Sequence, residues 1–480
     1  MPDYDLVVIG SGPAGEKGAV QAALMGRRVA AVECEPVLGG AAANTGTLPS
    51  KTLRETALHL SGFRQRGLYG VDVEVKREAT VTDFLFRERQ VKHIERARIA
   101  RSLEHAGVTL LPGRARFVDA HTLAIARAGQ PELRVSADTF LLATGSHPYR
   151  PPVYAFESPR IHDSDEILCL DAMPRALVVV GGGVIGCEYA CMFATLGCPV
   201  VLLEKKDRIL PFLDLEIGDL LVQRMQALGI RFVLGQEVVS ASAPPDRAEP
   251  VRLTLEDGEE LQTDMVLVAA GRTANSAGLG LEALGVKLGK RGQVEVNAHY
   301  QTAVPNLYAV GDVIGFPALA STAQEQARIA MTHACGQGAT YALSRTLPYG
   351  IYTIPEVSTA GETEETLREK GTAYVVGRAP FATNARGQII GETYGLLKLL
   401  FARDDARLLG VHILGEQASE LVHVGLLAIL QGASARLFLE TCFNYPTLSE
   451  AYQTATLDAL RQGLVVGPAP GPGAVPSAAT

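Results

Sequence analysis

At 480 residues the chain is long enough for about three domains of ordinary size. Its 47% hydrophobic and 20% charged residues exclude a disordered, fibrous or collagenous chain. Forty-four Lys and Arg against fifty-two Asp and Glu leave a net charge of −8, the wrong sign for a protein that follows phosphodiester backbones, so nucleic acid is not an expected partner.

Met1-Pro2-Asp3-Tyr4-Asp5 has neither a basic flank nor a cleavable apolar stretch, and apolar runs break at glycines well short of the ~18 residues a membrane span needs. A cytoplasmic protein without a membrane partner is expected. A first predicted strand, 6–9, runs into Gly10-Ser11-Gly12-Pro13-Ala14-Gly15, then a small-residue helix to about Met25 and a second strand ending at Glu33. Residues 82–106 predict a long amphipathic helix whose dense Arg and Glu form a solvated face. An apolar strand then ends in Ala143-Thr144-Gly145-Ser146, and Pro148, Pro151, Pro152 and Pro159 mark an exit from the first domain near residue 150.

Downstream, a strand over 176–180 enters Gly181-Gly182-Gly183-Val184-Ile185-Gly186, a helix to about Leu196 and a strand ending at Glu204, with Lys205, Lys206 and Arg208 close behind. The strand 265–270 closes on Gly271-Arg272, and Asn306-Leu307-Tyr308-Ala309-Val310-Gly311-Asp312 repeats the design of the strand before Ser146. From about Pro348 a new pattern begins, with strands at 396–401 and 409–414 and an apolar helix at 418–430; the Gly- and Pro-rich tail cannot pack a core. The seven cysteines are odd in number and scattered, which reads as reduced thiols, not a disulfide framework. Cys187 and Cys191, four apart on a predicted helix, read as small core residues, and no metal site is expected.

The two glycine segments form an internal repeat. Each has a strand, a glycine-rich turn, a helix and a second strand, and Gly10 to Glu33 spans the same 23 residues as Gly181 to Glu204. Such a unit suits a dinucleotide. Glycines allow a tight turn and close backbone approach to a pyrophosphate, the helix N-terminus offers N–H groups and positive dipole, and the acid accepts from a ribose hydroxyl. Two such sites suggest one resident redox cofactor and one diffusible one.

With these motifs the chain resembles, over about Tyr4 to Leu460, the two-dinucleotide-fold flavoprotein disulfide reductases, the family of dihydrolipoamide dehydrogenase and glutathione reductase. The resemblance implies an α/β fold of two Rossmann-like three-layer dinucleotide-binding domains plus an α+β C-terminal dimerisation domain, hence a homodimer. Its boundaries would be 1–150 for the first domain (completed by about 280–345), 151–279 for the second, 346–465 for dimerisation and 466–480 for a disordered tail. It implies non-covalent FAD on Gly10, Gly12, Gly15, Glu33, Thr144, Gly145, Asp312 and the helix opening near Ala320. It implies NAD(H) and NADP(H) on Gly181, Gly183, Gly186 and Glu204, with Gly271 at the same site. Apart from the resemblance, the basic run Lys205, Lys206 and Arg208 reads by its charge as offsetting the repulsion between Glu204 and a 2′-phosphate. By the same resemblance Lys51, expected in the first turn of a helix started by Pro49, pairs with Glu188 beside the flavin and serves catalysis.

The departures are as informative. The family's redox segment carries two cysteines; here Gly39-Gly40-Ala41-Ala42-Ala43-Asn44-Thr45-Gly46-Thr47 puts Ala42 and Thr47 at those positions, and Tyr445 stands where the family has its catalytic His. Neither Ala nor Thr forms a thiolate, and a phenol with a pKa of about 10 is a poor base at neutral pH, so disulfide chemistry is not expected. Thr47, the Phe443–Thr447 segment and the Leu210–Asp214 segment are most similar to the family's soluble Si-specific pyridine nucleotide transhydrogenase branch, which usually keeps the first cysteine. The expected reaction is hydride transfer between NAD(H) and NADP(H) by ping-pong through flavin N5. An NAD(P)H:quinone or dye reductase and a redox-silent dimeric binding protein are the alternatives.

Overall fold

The computed structural model describes residues 1–62, 68, 80–336 and 342–467; from residue 468 on, the expected disordered tail lies outside them. The chain divides into two compact units. The first holds the described residues of 1–63, 74–207 and 232–343, the second those of 64–73, 208–231 and 344–480.

In chain order the first unit opens with β1 (Tyr4–Ile9), α1 (Pro13–Leu24), β2 (Val29–Glu33), α2 (Gly40–Asn44), α3 (Thr47–Leu60) and α4 (Val81–His105). Then follow β3 (Thr109–Pro112), β4 (Arg114–Asp119), β5 (Thr122–Ala126), β6 (Leu133–Leu142), β7 (Ser146–Pro148), β8 (Ile161–Asp163), β9 (Leu177–Val180), α5 (Val184–Thr195) and β10 (Val200–Glu204). After α6 (Leu215–Ala227), which lies in the second unit, come β11 (Ile230–Leu234), β12 (Val238–Ser242), β13 (Val251–Leu255), β14 (Glu260–Thr263), β15 (Met265–Val268), β16 (Arg272–Ala274), β17 (Leu307–Ala309) and α7 (Ala320–Ala334).

The first sheet runs β3-β2-β1-β6-β5-β4. β1 is parallel to both β2 and β6, and the far end of β6 also pairs with β17, which brings Asp312 back to the first glycine turn. β1 is buried on both faces by alternation: Val7 and Ile9 pack with Val32, Phe140 and Leu142, whereas Leu6 and Val8 pack with Ala31, Leu141 and the small residues of α1. The second sheet repeats the plan in the order β11-β10-β9-β15-β8, with β9 parallel to β10 and β15. Both glycine turns therefore leave the carboxyl end of a central parallel strand, where doubly wound sheets open for ligands. The ribbon β7–β16 starts just beyond β6 of one sheet and β15 of the other.

The second unit is an antiparallel sheet, β18 (Tyr349–Ile351), β19 (Val357–Gly361), β22 (Leu408–Leu414), β21 (Leu396–Ala402) and β20 (Tyr374–Pro380) in spatial order. Its helices are α6, α8 (Glu364–Glu369), α9 (Ala385–Ile390), α10 (Ala418–Leu430), α11 (Arg436–Glu440) and α12 (Ala451–Arg461). A row of polar residues crosses this sheet, since Thr359 pairs with His412, His412 with Lys398, and Lys398 with Arg378. Lys398 has no exposed side-chain surface, and its Nζ reaches Asp214 at 2.7 Å, Glu216 at 2.8 Å and Glu364 at 2.5 Å. Those three carboxylates are grouped closely enough to hold an ion; the ammonium stands at their centre. Among the described residues no helix is long and apolar enough to cross a membrane.

Candidate active site

The two glycine turns are built alike. Gly10 has φ +104° and Gly181 φ +112°, and a Cβ on either would lie 2.4 Å from a carbonyl, Ala143 O or Ala269 O. A Cβ at Gly15 would lie 1.9 Å from Gly10 O, and one at Gly186 1.9 Å from Gly181 O, so helix and strand touch backbone to backbone. The middle glycines differ in kind. A Cβ on Gly183 would meet nothing within 4 Å, and one on Gly12 only Gly40 Cα at 3.8 Å, so these two face room in which a ligand can approach the chain. α1 and α5 start immediately afterwards with no side chain capping them, which leaves their N-termini open to an anion.

The symmetry extends to the acids. Glu33 Oε2 accepts from Ser11 N at 3.0 Å and Ser11 Oγ at 2.5 Å, while Oε1 accepts from Glu35 N at 3.0 Å. Glu204 Oε2 accepts from Gly182 N at 2.5 Å and Oε1 from Lys206 N at 2.9 Å. Each carboxylate is thus locked at its strand end beside its turn. Lys205 is drawn to Glu237 at 2.5 Å. Arg208 opens the second unit, where a Cβ on Gly218 of α6 would lie 2.8 Å from its Nη2.

Between the turns stands an ion pair. Lys51 Nζ on α3 donates to both oxygens of Glu188 on α5, at 2.8 and 2.7 Å. Glu188 is 2% exposed and Lys51 25%, a burial that an unpaired carboxylate would not tolerate. α3 begins at Thr47, not at Pro49. Proline is tolerated throughout a first turn because its missing N–H would have had no intrahelical partner there. Lys51 is therefore the fifth helical residue, and Glu188 rather than the helix dipole sets its surroundings. Ala42 lies on α2 and Thr47 opens α3, so no sulfur stands at either position. None of the seven cysteines, all of them among the described residues, forms a disulfide. Cys187 and Cys191 are buried as core residues, and burial pushes the Cys187 thiol well up.

The helix 81–105 is less solvated than its composition suggests. Arg98 grips Glu16 of α1 through two 2.9 Å hydrogen bonds, and Arg96 Nε donates to Asn44 Oδ1 at 2.6 Å. The solvated face holds at Arg87, Arg89, Arg101 and Glu104, which are exposed, and gives way at Arg98 and Arg96, whose partners lie 82 and 52 residues away in sequence.

Around Asp312 the structure gathers residues that the sequence had not singled out for the site. Ser146 Oγ donates to Asp312 Oδ2 at 2.8 Å and receives Arg272 Nε at 2.8 Å; Arg272 Nη2 also donates to Ser146 O at 2.8 Å, and Nη1 lies 3.5 Å from Asp165 Oδ1. Thr144 and Asn275 exchange hydrogen bonds of 2.8 and 2.9 Å, and Gly145 turns at φ +70°. Gly271, at φ +103°, would place a Cβ 2.6 Å from Arg291 Nη1. α7 starts at Ala320 without a capping side chain, and its Gln326 accepts from Gly311 N at 2.8 Å. Thr144, Gly145, Asp312 and Ala320 were expected here; Ser146 and Arg272 had appeared in the sequence only as segment ends, and Asp165, Asn275 and Gln326 not at all.

Residues 4–327 match the pyridine nucleotide-disulphide oxidoreductase family, and residues 347–456 its dimerisation domain. The chain is 43% identical over 463 residues to a soluble pyridine nucleotide transhydrogenase of Mycobacterium bovis, covering 96% of this chain and 98% of that one. A protein of the same name from Colwellia psychrerythraea is 40% identical over 464 residues, with the same coverage. Among solved structures, the HOCl-induced flavoprotein disulfide reductase RclA from Escherichia coli superposes with a TM-score of 0.85 at 27% identity, over 95% of this chain and 99% of that one. LpdA from Mycobacterium tuberculosis gives 0.86 at 28% identity with equal coverage.

Proposed function

The chain belongs to the pyridine nucleotide-disulphide oxidoreductase family, and on that premise we propose that it moves hydride between NAD(H) and NADP(H), with non-covalent FAD resident at the first glycine turn and no redox disulfide. One observation carries the reading. The Lys51–Glu188 pair ties the helix behind the first turn to the helix of the second, while the segment between Gly39 and Lys51 holds no cysteine.

The residues fit the groups. The approach space at Gly12 and Gly183 would be filled by the Cβ of any other residue, and each turn combines an open helix N-terminus with a fixed carboxylate. FAD, when bound, supplies a two-electron store that outlasts the visit of one nucleotide. The rest falls to side chains. Glu33 and Asp312 hold the sugars of the resident cofactor. Glu204 takes a ribose 2′-hydroxyl and repels a 2′-phosphate, and Lys205, Lys206 and Arg208 offset part of that repulsion, which leaves NAD(H) preferred and NADP(H) usable. Lys51, steadied by Glu188, provides fixed positive charge near which hydride transfer develops negative charge. One nicotinamide site serves both nucleotides in turn, so the kinetics are ping-pong, with parallel double-reciprocal lines. A cytoplasmic homodimer is part of the same reading, supported by the dimerisation-domain match and by the exposed Leu427, Leu430, Leu437 and Leu457 of the second unit.

The test is to reduce the purified protein anaerobically with NADPH and then offer NAD⁺, a quinone or oxidised lipoamide. Rapid return of oxidised flavin absorbance with NAD⁺ is expected. Return with the quinone alone would make the protein a quinone reductase, and lipoamide turnover at comparable rates would remove the disulfide-free mechanism.

A further inference from the structure

Asp312 is the carboxylate that the proposed function gives to the sugar chain of FAD, and its orientation is set from outside its own segment. A serine hydroxyl has one proton. Arg272 Nε, a donor only, approaches Ser146 Oγ at 2.8 Å and so takes a lone pair, which commits the Ser146 proton to Asp312 Oδ2, 2.8 Å away. The guanidinium cannot swing off, because Nη2 is bound to Ser146 O at 2.8 Å and Nη1 faces Asp165 at 3.5 Å. Burial raises the Asp165 pKa, with Arg272 working against it. Among the described residues Asp312 Oδ1 accepts no hydrogen bond, so it is the oxygen left to a ligand.

We propose that Arg272 is a positioning residue for the flavin cofactor, acting through Ser146 to aim Asp312, with Asp165 anchoring it. Its place gives the arrangement a purpose. Ser146 begins β7 and Arg272 begins β16, the two strands of the ribbon between the sheets, so the carboxylate that grips the resident cofactor is referenced to the strand end of the nicotinamide-binding sheet. The inference rests on the reading of Asp312 as an FAD ligand.

The measurement is the rate of FAD release from the full-length holoprotein, followed as the rise in free-flavin fluorescence, alongside the melting temperature. Ser146→Ala and Arg272→Met are each expected to speed release about 10-fold, the equivalent of one well-formed hydrogen bond. Because both act on one carboxylate through one hydroxyl, the double variant should release FAD within about twofold of the faster single. Ser146→Thr, which keeps the hydroxyl, should restore the wild-type rate, whereas Arg272→Lys, which keeps the charge but not the fork, should not. Additive single effects of about 100-fold in the double variant, or failure of Ser146→Thr to restore retention, would overturn the relay while leaving FAD binding intact. A wild-type protein that carries no flavin and takes up none would overturn the functional reading and the relay together.

Discussion

Two residues decide most of the chemistry proposed here, and each can be probed alone. Glu188 is 2% exposed; Lys51→Met would take away the ammonium that donates to both of its oxygens, and breaking such a buried pair costs about 3–5 kcal/mol. It would also remove the fixed cation beside the reacting groups, worth about 100-fold or more in rate. Stopped-flow reduction of the flavin by NADPH should slow by that factor, and wild-type reduction rates in Lys51→Met would remove Lys51 from the mechanism. Glu204 governs nucleotide choice. Both of its oxygens are fixed by backbone N–H groups, so it cannot swing away from a 2′-phosphate. Like charges about 4 Å apart at an effective dielectric of about 20 repel by about 4 kcal/mol, nearly a thousandfold in affinity. Glu204→Gln should therefore lower the Michaelis constant for NADPH by 10-fold or more and shift that for NADH by only a few-fold, with Lys206→Ala moving the NADPH value the opposite way. Equal shifts for both nucleotides would mean that the carboxylate does not read the 2′ position. Glu204 was legible in the sequence because its role is local: it closes a strand 23 residues after its glycine. Lys51 and Glu188, 137 residues apart, came only from the family resemblance. Ser146, Arg272 and Asp165 were not, because they meet one another and Asp312 only after chain separations above 100 residues.

At the scale of elements, the glycines of the second turn divide into those that fold it and those that leave space. Gly186→Ala places a Cβ 1.9 Å from Gly181 O, a contact between two backbones that no rotamer change relieves. α5 must then lift from β9, carrying Glu188 with it. Gly183→Ala meets nothing within 4 Å and disturbs only the approach of a ligand. The expected outcome is a contrast: Gly186→Ala lowers the melting temperature and abolishes reduction by either nucleotide, whereas Gly183→Ala melts like wild type but raises both Michaelis constants. Identical melting losses in the two variants would contradict the assignment of Gly183 to ligand space. Strand–turn–helix units were readable because each constraint falls within a few residues, with positive φ at Gly10 and Gly181 written directly as glycine. Helix edges and faces were less so. Pro49 suggested a later start for α3 than Thr47, and Arg96 and Arg98 read as solvent-facing until Asn44 and Glu16 came within reach.

For the molecule as a whole, both units hide acids beside cations, and this sets how stability responds to pH. In the first, burial works to raise the Glu16 pKa but hydrogen bonds from Arg98 and Ser102 hold it below its ordinary 4.5. In the second, burial again opposes ionisation, yet His412 and Lys398 keep Asp214 below 3.8, and Lys398 and Tyr374 keep Glu364 below 4.5. A carboxylate with a depressed folded pKa contributes stability that is complete above its unfolded value and is lost as pH falls through the folded one. Lys398, which burial tends to lower but Asp214, Glu216 and Glu364 raise above 10.5, contributes stability that is complete below 10.5 and lost only as pH rises beyond it. His412, lowered by burial from 6.5, costs stability once pH drops below 6.5, where the unfolded chain takes up its proton first. One lysine inside the apolar run Leu396–Phe401 is the cluster's trace in the sequence, since Asp214 at the start of α6 and Glu364 on α8 lie 184 and 34 residues away. Lys398→Met keeps the volume but leaves three carboxylates crowded together with Asp214 fully buried, so at neutral pH it should destabilise the chain by about 3–5 kcal/mol. Acidification protonates those same carboxylates and relieves the repulsion. The deficit of the variant relative to wild type, read from urea unfolding, should therefore shrink steadily between neutral pH and about pH 4. A deficit that stays constant over that range would show that Lys398 stabilises the sheet by packing and not as the counter-charge of the buried acids.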